Sequence, residues 1–133
     1  MKRLFLVSLM VLLTGICTFS QQKIVYRDDY LVKVGDMAPD FVINEVGGKS
    51  YKLSDLRGKV VMLQFTASWC SVCRQEMPFI EKEIWAPGKS SGLSVIGIDR
   101  DEPADKVNKF KSDMKITYPL ALDPGADIFG LYA

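Results

Sequence analysis

Cys70 and Cys73 are the side chains whose type and spacing most directly indicate chemistry. An apolar segment at 60–65, rich in strand-forming residues, precedes them. The sequence that follows has the apolar spacing of one helix face, at Cys73, Met77, Ile80 and Ile84. We therefore place Cys70 at the amino-terminal end of a helix, where unpaired backbone N–H groups and the helix dipole favour a thiolate over a thiol. Because two cysteines at this spacing can also form a disulfide reversibly, the pattern predicts a redox-active dithiol.

The composition is typical of an ordinary globular protein, with 48% hydrophobic and 25% charged residues among 133. This length allows one domain at most. The formal net charge is +1, and it falls to −1 without Lys2 and Arg3, so no basic surface for nucleic acid or anionic lipid is indicated. The chain has no histidine, and a structural zinc site needs four ligands. We expect neither a metal nor any cofactor other than the cysteine pair itself.

The first twenty residues have the pattern of a secretory signal peptide. Lys2 and Arg3 precede an uncharged run over 4–16, and Thr18 and Ser20 provide the small side chains that a cleavage site needs. The uncharged run is shorter than the ~20 residues that a membrane-spanning helix requires. We therefore predict an exported protein, periplasmic or in an equivalent compartment, that is soluble after cleavage of residues 1–20.

Cys17 leaves an alternative open, because a cysteine that follows a signal core can be lipidated in a bacterial lipoprotein. Such processing prefers a small residue directly before the cysteine and a leucine three residues before it, whereas this chain has Ile16 and Thr14. Lipid anchoring is thus the alternative and a soluble product the prediction. In both cases the mature chain keeps Cys70 and Cys73, in a compartment that favours disulfides.

The rest of the chain predicts an N-terminal extension at 21–34 and one domain at 35–133, in which strands alternate with helices. Gly47 and Gly48 indicate a hairpin turn between short strands at 41–43 and 50–53. After the hairpin we predict a helical turn at 54–58, a buried strand at 60–65, a helix from 70 to about 85 that is kinked at Pro78, and a loop at 86–92. A second buried strand at 93–98 is followed by a helix after Pro103, in which Val107, Phe110 and Met114 face inward. An extended segment at 118–122 and a helical segment at 127–132 complete the predicted elements. This order predicts an α/β fold with parallel central strands.

The segment from Gly58 to Pro78, with Trp-Cys-Ser-Val-Cys near its centre, resembles exported thioredoxin-like proteins of the TlpA type. The segments at 38–41 and 53–59 resemble the upstream part that this branch shares with peroxiredoxins. The resemblance extends over about residues 35–132. It implies a thioredoxin-like sheet with flanking helices and an N-terminal hairpin extension, and the activity of a thiol–disulfide oxidoreductase.

The resemblance also implies roles for the residues around the dithiol. Cys70 would attack a substrate disulfide, and Cys73 would resolve the mixed disulfide. Trp69, Ser71 and Val72 would contact the substrate. The implied partners are disulfides of exported proteins, which the chain would reduce, and a membrane thiol carrier that supplies the electrons; no nucleic acid is implied.

Proton transfer is less well defined by the sequence. Glu76 occupies an acidic position that TlpA-like proteins often carry after the second cysteine, and it either transfers a proton or is a solvated surface residue. The buried acid that thioredoxin has six residues before the first cysteine is Gln64 here, so proton transfer would depend on Glu76, water or the substrate. Thr66 replaces a common aromatic residue four positions before Cys70.

The end of the chain at Ala133 falls where a thioredoxin-like domain continues with a loop that usually carries a cis-proline, two strands and a helix. We therefore expect the domain at 35–133 to be incomplete, with its C-terminal strands and helix missing. The strand at 60–65 would then have an open edge.

Two other functions remain open. A peroxiredoxin-like thiol peroxidase shares the upstream segment, but its peroxidatic cysteine normally follows a threonine by three residues, whereas Thr66 precedes Cys70 by four. A non-catalytic, truncated binding module would use Cys70 and Cys73 as a structural disulfide only. So short a ring restricts the unfolded chain little and would contribute little stability.

Overall fold

The structure, a computed structural model, describes residues 30–133; the predicted signal peptide at 1–20, Cys17 and residues 21–29 lie outside the described residues. The strands are β1 (Val42–Asn44), β2 (Ser50–Lys52), β3 (Val61–Thr66), β4 (Ser94–Arg100) and β5 (Leu120–Asp123). The helices are α1 (Ser71–Phe79), a π-helix (Ile80–Trp85), α2 (Ala86–Gly88) and α3 (Ala104–Asp113), and four 3-10 turns lie at Leu53–Leu56, Lys89–Ser91, Pro124–Ala126 and Phe129–Leu131. Within 30–133, no helix is long and apolar enough to cross a membrane.

A three-stranded parallel sheet in the order β3-β4-β5 organises the fold. The last residue of β3, Thr66, pairs with Asp99 of β4, which in turn pairs with Leu122 of β5. Parallel neighbours need long crossover connections, which α1 with the helical turns after it provides for β3 and β4, and α3 for β4 and β5. The predicted α/β fold with parallel central strands is confirmed.

The predicted hairpin is also present and is attached to the β5 edge of the sheet. β1 and β2 pair in antiparallel fashion, with Asn44 opposite Ser50. Gly48 adopts a positive φ of 87° in the turn, a conformation that glycine reaches without steric cost. The N–H of Val46 donates to the carbonyl of Leu120 at 2.9 Å. This bond fixes the hairpin beside β5.

The two faces of the sheet each bury one apolar cluster, because side chains alternate along the strands. Between the sheet and the helices lie Met77, Ile80, Val95, Val107, Phe110, Ile116, Tyr118 and Leu120. The opposite cluster contains Ile43, Ile96, Ile98, Ala121 and Ile128. On α3, Val107 and Phe110 are buried, and Met114 packs against the first cluster, as the predicted inward stripe requires. We call the side of the sheet covered by α1 and α3 the helical face.

The helix that follows the cysteines extends further than predicted. The predicted helix end near Trp85 and the predicted loop at 86–92 are wrong, because helical turns continue through Ser91. They stop where Gly92 adopts a φ of 85°. Pro87 lies at the start of α2, within this continuous helical stretch. The N–H of Leu93 then donates to the carbonyl of Gly88 at 3.2 Å.

The hydrogen-bond pattern of the helix changes after Pro78. Proline lacks the N–H that would continue the α-helical ladder. Two residues later the π-helix begins, and the N–H of Ile80 is shared between the carbonyls of Glu76 and Met77. A π-helical segment thus follows the proline, and such segments commonly mark an irregularity in a helix.

Two further elements differ from the sequence-based expectation. The strand predicted as buried at 60–65 is β3 at 61–66; Val60 is 71% exposed, and only Gln64 and Thr66 are fully buried along it. Among the described strands, β3 pairs with β4 alone. The helical segment expected at 127–132 is reduced to the 3-10 turn Phe129–Leu131.

Candidate active site

A disulfide joins Cys70 to Cys73 at the junction between β3 and α1, with a Cα–Cα distance of 5.3 Å. Cys70 is the N-cap residue of α1, in an extended conformation, and its Sγ accepts a hydrogen bond from the N–H of Cys73 at 3.2 Å. The N–H of Cys70 donates to the carbonyl of Ala67 at 3.0 Å and closes the turn out of β3. The predicted position of Cys70 at the amino-terminal end of a helix is confirmed.

The electrostatic environment at this helix end favours negative charge on Cys70. The first turn of α1 contains no acidic residue, so no carboxylate of the helix itself offsets the positive end of the helix dipole. Arg100, at the end of β4, lines the same pocket as the two cysteines. A thiolate at Cys70 would therefore be stabilised by backbone N–H groups and a nearby cation.

Cys73 lies on the inner side of the helix end, with its Sγ 3.9 Å from the carbonyl oxygen of Phe65. A mostly apolar pocket of about 110 Å³ opens beside the disulfide. Its lining residues are Phe65, Thr66, Ala67, Trp69, Cys70, Cys73, Arg100 and Phe129. The guanidinium of Arg100 lies 4.4 Å from the ring centroid of Phe129, which holds this cation against the pocket wall.

The other predicted site residues divide into two groups. Trp69 is 67% exposed and joins the cysteines in the pocket lining. Ser71, Val72 and Glu76 are exposed on α1 and do not contribute to that lining. The structure thus brings Trp69 and the dithiol together, and it places Glu76 on the solvent side of the helix.

Gln64, at the position of the buried acid of thioredoxin, is part of the fold's polar interior. Its Oε1 accepts a hydrogen bond from the hydroxyl of Tyr118 at 2.8 Å, and both side chains are buried. Burial, followed by the charges of Glu81 and Glu76, raises the pKa of Tyr118 above its ordinary value. Gln64 and Tyr118 therefore form a neutral buried pair.

Two acids beneath the cysteine turn did not emerge from the sequence. The carboxylate of Glu102 accepts hydrogen bonds from the backbone N–H and, at 2.7 Å, from the hydroxyl of Ser68, two residues before Cys70. Its side chain is only 4% exposed and forms an ion pair with Lys106 of α3. Asp99 is fully buried beside it. Within 30–133, no donor reaches either carboxylate oxygen of Asp99.

The position of Asp99 in the sequence contained a signal for its place near the cysteines. Asp99 directly follows the apolar segment 93–98, as the cysteines follow 60–65. Because the carboxyl ends of neighbouring parallel strands lie at the same edge of a sheet, a residue after one strand lies close to a residue after the next. The burial of Asp99 could not be read from this pattern.

The two carboxyl groups have opposite protonation preferences. Burial, and then the negative charge of Glu102, raises the pKa of Asp99 to about 7, against the opposing effect of Lys106. Burial alone would raise the pKa of Glu102 as well, but Lys106 and the two donors of Ser68 outweigh it and hold that pKa below its ordinary value. Just below neutral pH, Asp99 is therefore the protonated member of the pair and Glu102 the ionised one.

No group of three or more His, Cys, Asp and Glu side chains among residues 30–133 is arranged to hold a metal ion. The chemistry that this arrangement can perform is therefore that of the dithiol. It can form and break one disulfide, with a helix end to stabilise the thiolate and an apolar pocket beside the sulfurs.

Comparison with known proteins agrees with this chemistry. A model of the AhpC/TSA family matches residues 34–133. The thiol–disulfide oxidoreductase ResA of Bacillus cereus is 34% identical over 132 residues, which are 99% of this chain and 76% of that protein.

Solved structures are similar in fold as well as in sequence. A solution structure of a candidate protein disulfide isomerase from Bacteroides thetaiotaomicron has a TM-score of 0.76 and 63% identity, over 78% of this chain and 66% of that one. A crystal structure of a candidate thiol:disulfide interchange protein DsbE from Chlorobium tepidum has a TM-score of 0.68 and 35% identity, over 75% and 70%. The predicted thioredoxin-like fold and oxidoreductase activity are confirmed. The chain belongs to the AhpC/TSA family and is a thioredoxin-fold thiol–disulfide oxidoreductase.

Proposed function

We propose that this protein reduces disulfides of exported proteins, with Cys70 as the attacking thiol and Cys73 as the resolving thiol. The observation that carries the proposal is the position of Cys70 as N-cap of α1, with its Sγ accepting the N–H of Cys73. A free thiol with a pKa of ~8.5 is mostly protonated at neutral pH, and a helix end lowers that pKa. Cys73, on the inner side near the carbonyl of Phe65, suits the second step.

The reaction balances in two exchanges. The Cys70 thiolate attacks one sulfur of the substrate disulfide, breaks its S–S bond and forms a mixed disulfide, and the released substrate thiolate takes up a proton. The Cys73 thiolate then attacks Sγ of Cys70, which releases the second substrate thiol and leaves the Cys70–Cys73 disulfide. Two electrons and two protons pass to the substrate, so an external thiol donor must reduce the protein again. We assign that task to a membrane thiol carrier.

Substrate contact is assigned to the surface around the pocket. Trp69, exposed beside Cys70, offers an aromatic face to a peptide that approaches the sulfurs. Ser71 and Val72 are exposed between the two cysteines and would contact the part of the substrate that lies over the helix end. Glu76, one turn beyond Cys73 and exposed, would exchange protons with water or the leaving thiol.

The proposed export is supported by the signal-like pattern of the sequence at 1–20. Thiol trapping of the two cysteines in intact cells tests the direction of the reaction. A mainly reduced pair in the exported protein is the expected result, and a mainly oxidised pair would indicate an oxidase instead.

The roles of the cysteines are tested by labelling the reduced protein with limiting iodoacetamide. We expect the adduct on Cys70. Cys73→Ala should accumulate a mixed disulfide through Cys70, whereas Cys70→Ala, the matched control, should accumulate none. Preferential labelling of Cys73 would contradict the assignment.

The two alternatives have their own measurements. A structural disulfide should have a reduction potential below about −300 mV, and a catalytic one a higher potential. Consumption of peroxide by the reduced protein, at rates that exceed its reduction of protein disulfides, would support the peroxidase. The close pairing of Cys70 with Cys73 favours disulfide exchange.

A further inference from the structure

We propose that Asp99 is a positioning residue for the dithiol: it shares one proton with Glu102, whose carboxylate holds the turn that leads into Cys70. Asp99 and Glu102 together are called the acid pair below. The proposal rests on the proposed role of Cys70 as the attacking thiol.

The acid pair lies directly under the cysteine turn. Thr66, the last residue of β3, is in register with Asp99, and Cys70 follows Thr66 by four residues. Alternation along β4 puts Asp99 on the same face as Val95, which belongs to the helical face. The turn itself is held from two sides, since Ser68 donates to Glu102 with its N–H and hydroxyl and accepts from Nη1 of Arg74 at 3.4 Å.

A missing donor identifies Asp99 as the member that carries the proton. An ionised aspartate at this fully buried site would have two oxygens without a hydrogen-bond donor among the described residues. A protonated Asp99 has an O–H that can donate to the carboxylate of Glu102. Glu102 then accepts from Ser68, Lys106 and Asp99 at once. Only this protonation state satisfies the oxygens without another cation.

If Asp99 lost its proton, a nearby cation would have to compensate its charge, and the charged groups around it are few. The groups that act on Asp99 electrostatically are Glu102, in the loop after β4, and Lys106, on α3. The residues in register on either side, Thr66 of β3 and Leu122 of β5, carry no charge. Lys106 is half exposed and already paired with Glu102. Ionisation of Asp99 therefore places a second carboxylate beside Glu102, whose ion pair with Lys106 is already made.

Ionisation of Asp99 affects the Cys70 thiolate in two ways. Below neutral pH the acid pair has one negative charge, and Glu102 keeps its bonds to Ser68. Above neutral pH the second charge repels Glu102, weakens its hold on the turn and adds a negative potential near the cysteines. Both effects disfavour the Cys70 thiolate. The thiol and the acid pair therefore titrate as a coupled system.

The decisive experiment follows the alkylation rate of Cys70 from pH 5 to 9 in the reduced wild-type protein and in Asp99→Asn. Asparagine keeps the shape of the side chain and an N–H donor toward Glu102, but it has no proton to lose. We expect equal rates near pH 5 and, as Asp99 ionises, a thiolate fraction of Cys70 about two- to fivefold higher in the variant. Superimposable profiles from two folded proteins would overturn the proposal.

Two further measurements keep the test independent of how one variant folds. In the wild-type protein, ¹³C NMR of the side-chain carboxyl group should show Asp99 titrating near pH 7, and Glu102→Gln should lower its pKa. Titration of Asp99 near pH 4 would overturn the proposal. Asp105→Asn, an exposed acid in the first turn of α3, is the matched control and should leave both the rate profile and the Asp99 titration unchanged.

The same data separate this proposal from the proposed function. Labelling at Cys73 would count against the role assigned to Cys70. It would not affect the proton pair, which the carboxyl titration of Asp99 confirms or refutes by itself.

Discussion

The helical face of the sheet buries two polar pairs that differ in one property, the presence of carboxyl groups. Gln64 and Tyr118 share a hydrogen bond of 2.8 Å and carry no charge. In the acid pair, burial raises the pKa of Asp99 to about 7, so just below neutral pH the pair carries one proton and one negative charge. Both pairs are shielded from solvent, and Gln64 of β3 and Asp99 of β4 lie two register positions apart on neighbouring strands.

The difference shows how one apolar environment can either fix a structure or make it responsive to pH. A buried neutral pair with its hydrogen bond made contributes to the fold independently of pH. A buried acid pays a desolvation cost for its charged form, so its contribution changes as it titrates. The neutral pair lies beneath the body of α1, whereas the acid pair lies beneath the cysteine turn, where a response to pH affects the thiol.

Gln64→Glu would break this contrast, because it introduces an acid of nearly the same shape into the neutral pair. The new carboxyl group would have a raised pKa, so its stabilising contribution is complete below the unfolded pKa of about 4.3 and is lost as the pH rises through the folded value. We expect the free energy of unfolding at pH 8 to fall by about 3–5 kcal/mol relative to wild type, with little change at pH 4. Urea unfolding at the two pH values measures it.

The matched control for that variant is Gln75→Glu, which places the same charge on an exposed position of α1. It should leave the unfolding free energy nearly unchanged at both pH values. An equal difference in unfolding free energy between Gln64→Glu and wild type at pH 4 and pH 8 would contradict the contrast between the pairs.

Asp99→Asn would remove the pH dependence from the acid pair. Since the pKa of Asp99 is about 7 in the fold and 3.8 as the reference value, wild-type stability is favoured below pH 4 and declines up to pH 7. The variant lacks this decline. We expect the difference in unfolding free energy between variant and wild type to change by about 2–4 kcal/mol from pH 4 to 8, in favour of the variant.

Asp105→Asn serves as the control in the same unfolding series. A constant difference between Asp99→Asn and wild type across that range would mean that Asp99 titrates normally, and the acid pair would not exist as described.

Tyr118→Phe tests the neutral pair of this contrast, Gln64 and Tyr118. It removes the hydroxyl that donates to Gln64 and leaves a buried amide oxygen without that partner. We expect a loss of about 1–2 kcal/mol in the free energy of unfolding, and the same loss at pH 5 and pH 8. Tyr30→Phe, at an exposed tyrosine, is the control. A loss confined to one end of the pH range would show that this pair is coupled to a titrating group.

Ser68→Ala should have the smallest effect, because it removes one of the two donors from Ser68 to Glu102 and keeps the backbone N–H. The expected cost is about 1 kcal/mol in unfolding free energy. Ser90→Ala, at an exposed position, gives the baseline in the same thermal or urea series. A loss several times larger would indicate that the hydroxyl, and not the N–H, holds the cysteine turn.

Much of the fold could be predicted because its signals are local. The apolar segment before Cys70 and the helical spacing after it gave the strand, turn and helix in the right order. Gly47 and Gly48 gave the hairpin. The extent of the long helix could not be predicted, since Pro87 and Gly88 are ordinary loop residues whose helical conformation depends on the packing and hydrogen bond of Leu93.

The candidate site was predictable only in part, for the same reason. The cysteines and Trp69 are neighbours in the chain, and their proximity needs no tertiary information. Ser68 and Glu102 are 34 residues apart, and they meet only because β3 and β4 pair in one particular register. Burial of Asp99 depends on that register as well.

The π-helix Ile80–Trp85 has a consequence for how the length of this chain can vary. Its hydrogen bonds span one residue more than those of an α-helix, so the segment accommodates one residue beyond what a regular helix would hold between the same two ends. Deletion of a single residue here can be absorbed by a return to α-helical geometry. The junction after β3 and the turn before β4 would then keep their places, so a one-residue deletion in this stretch should leave the dithiol in position.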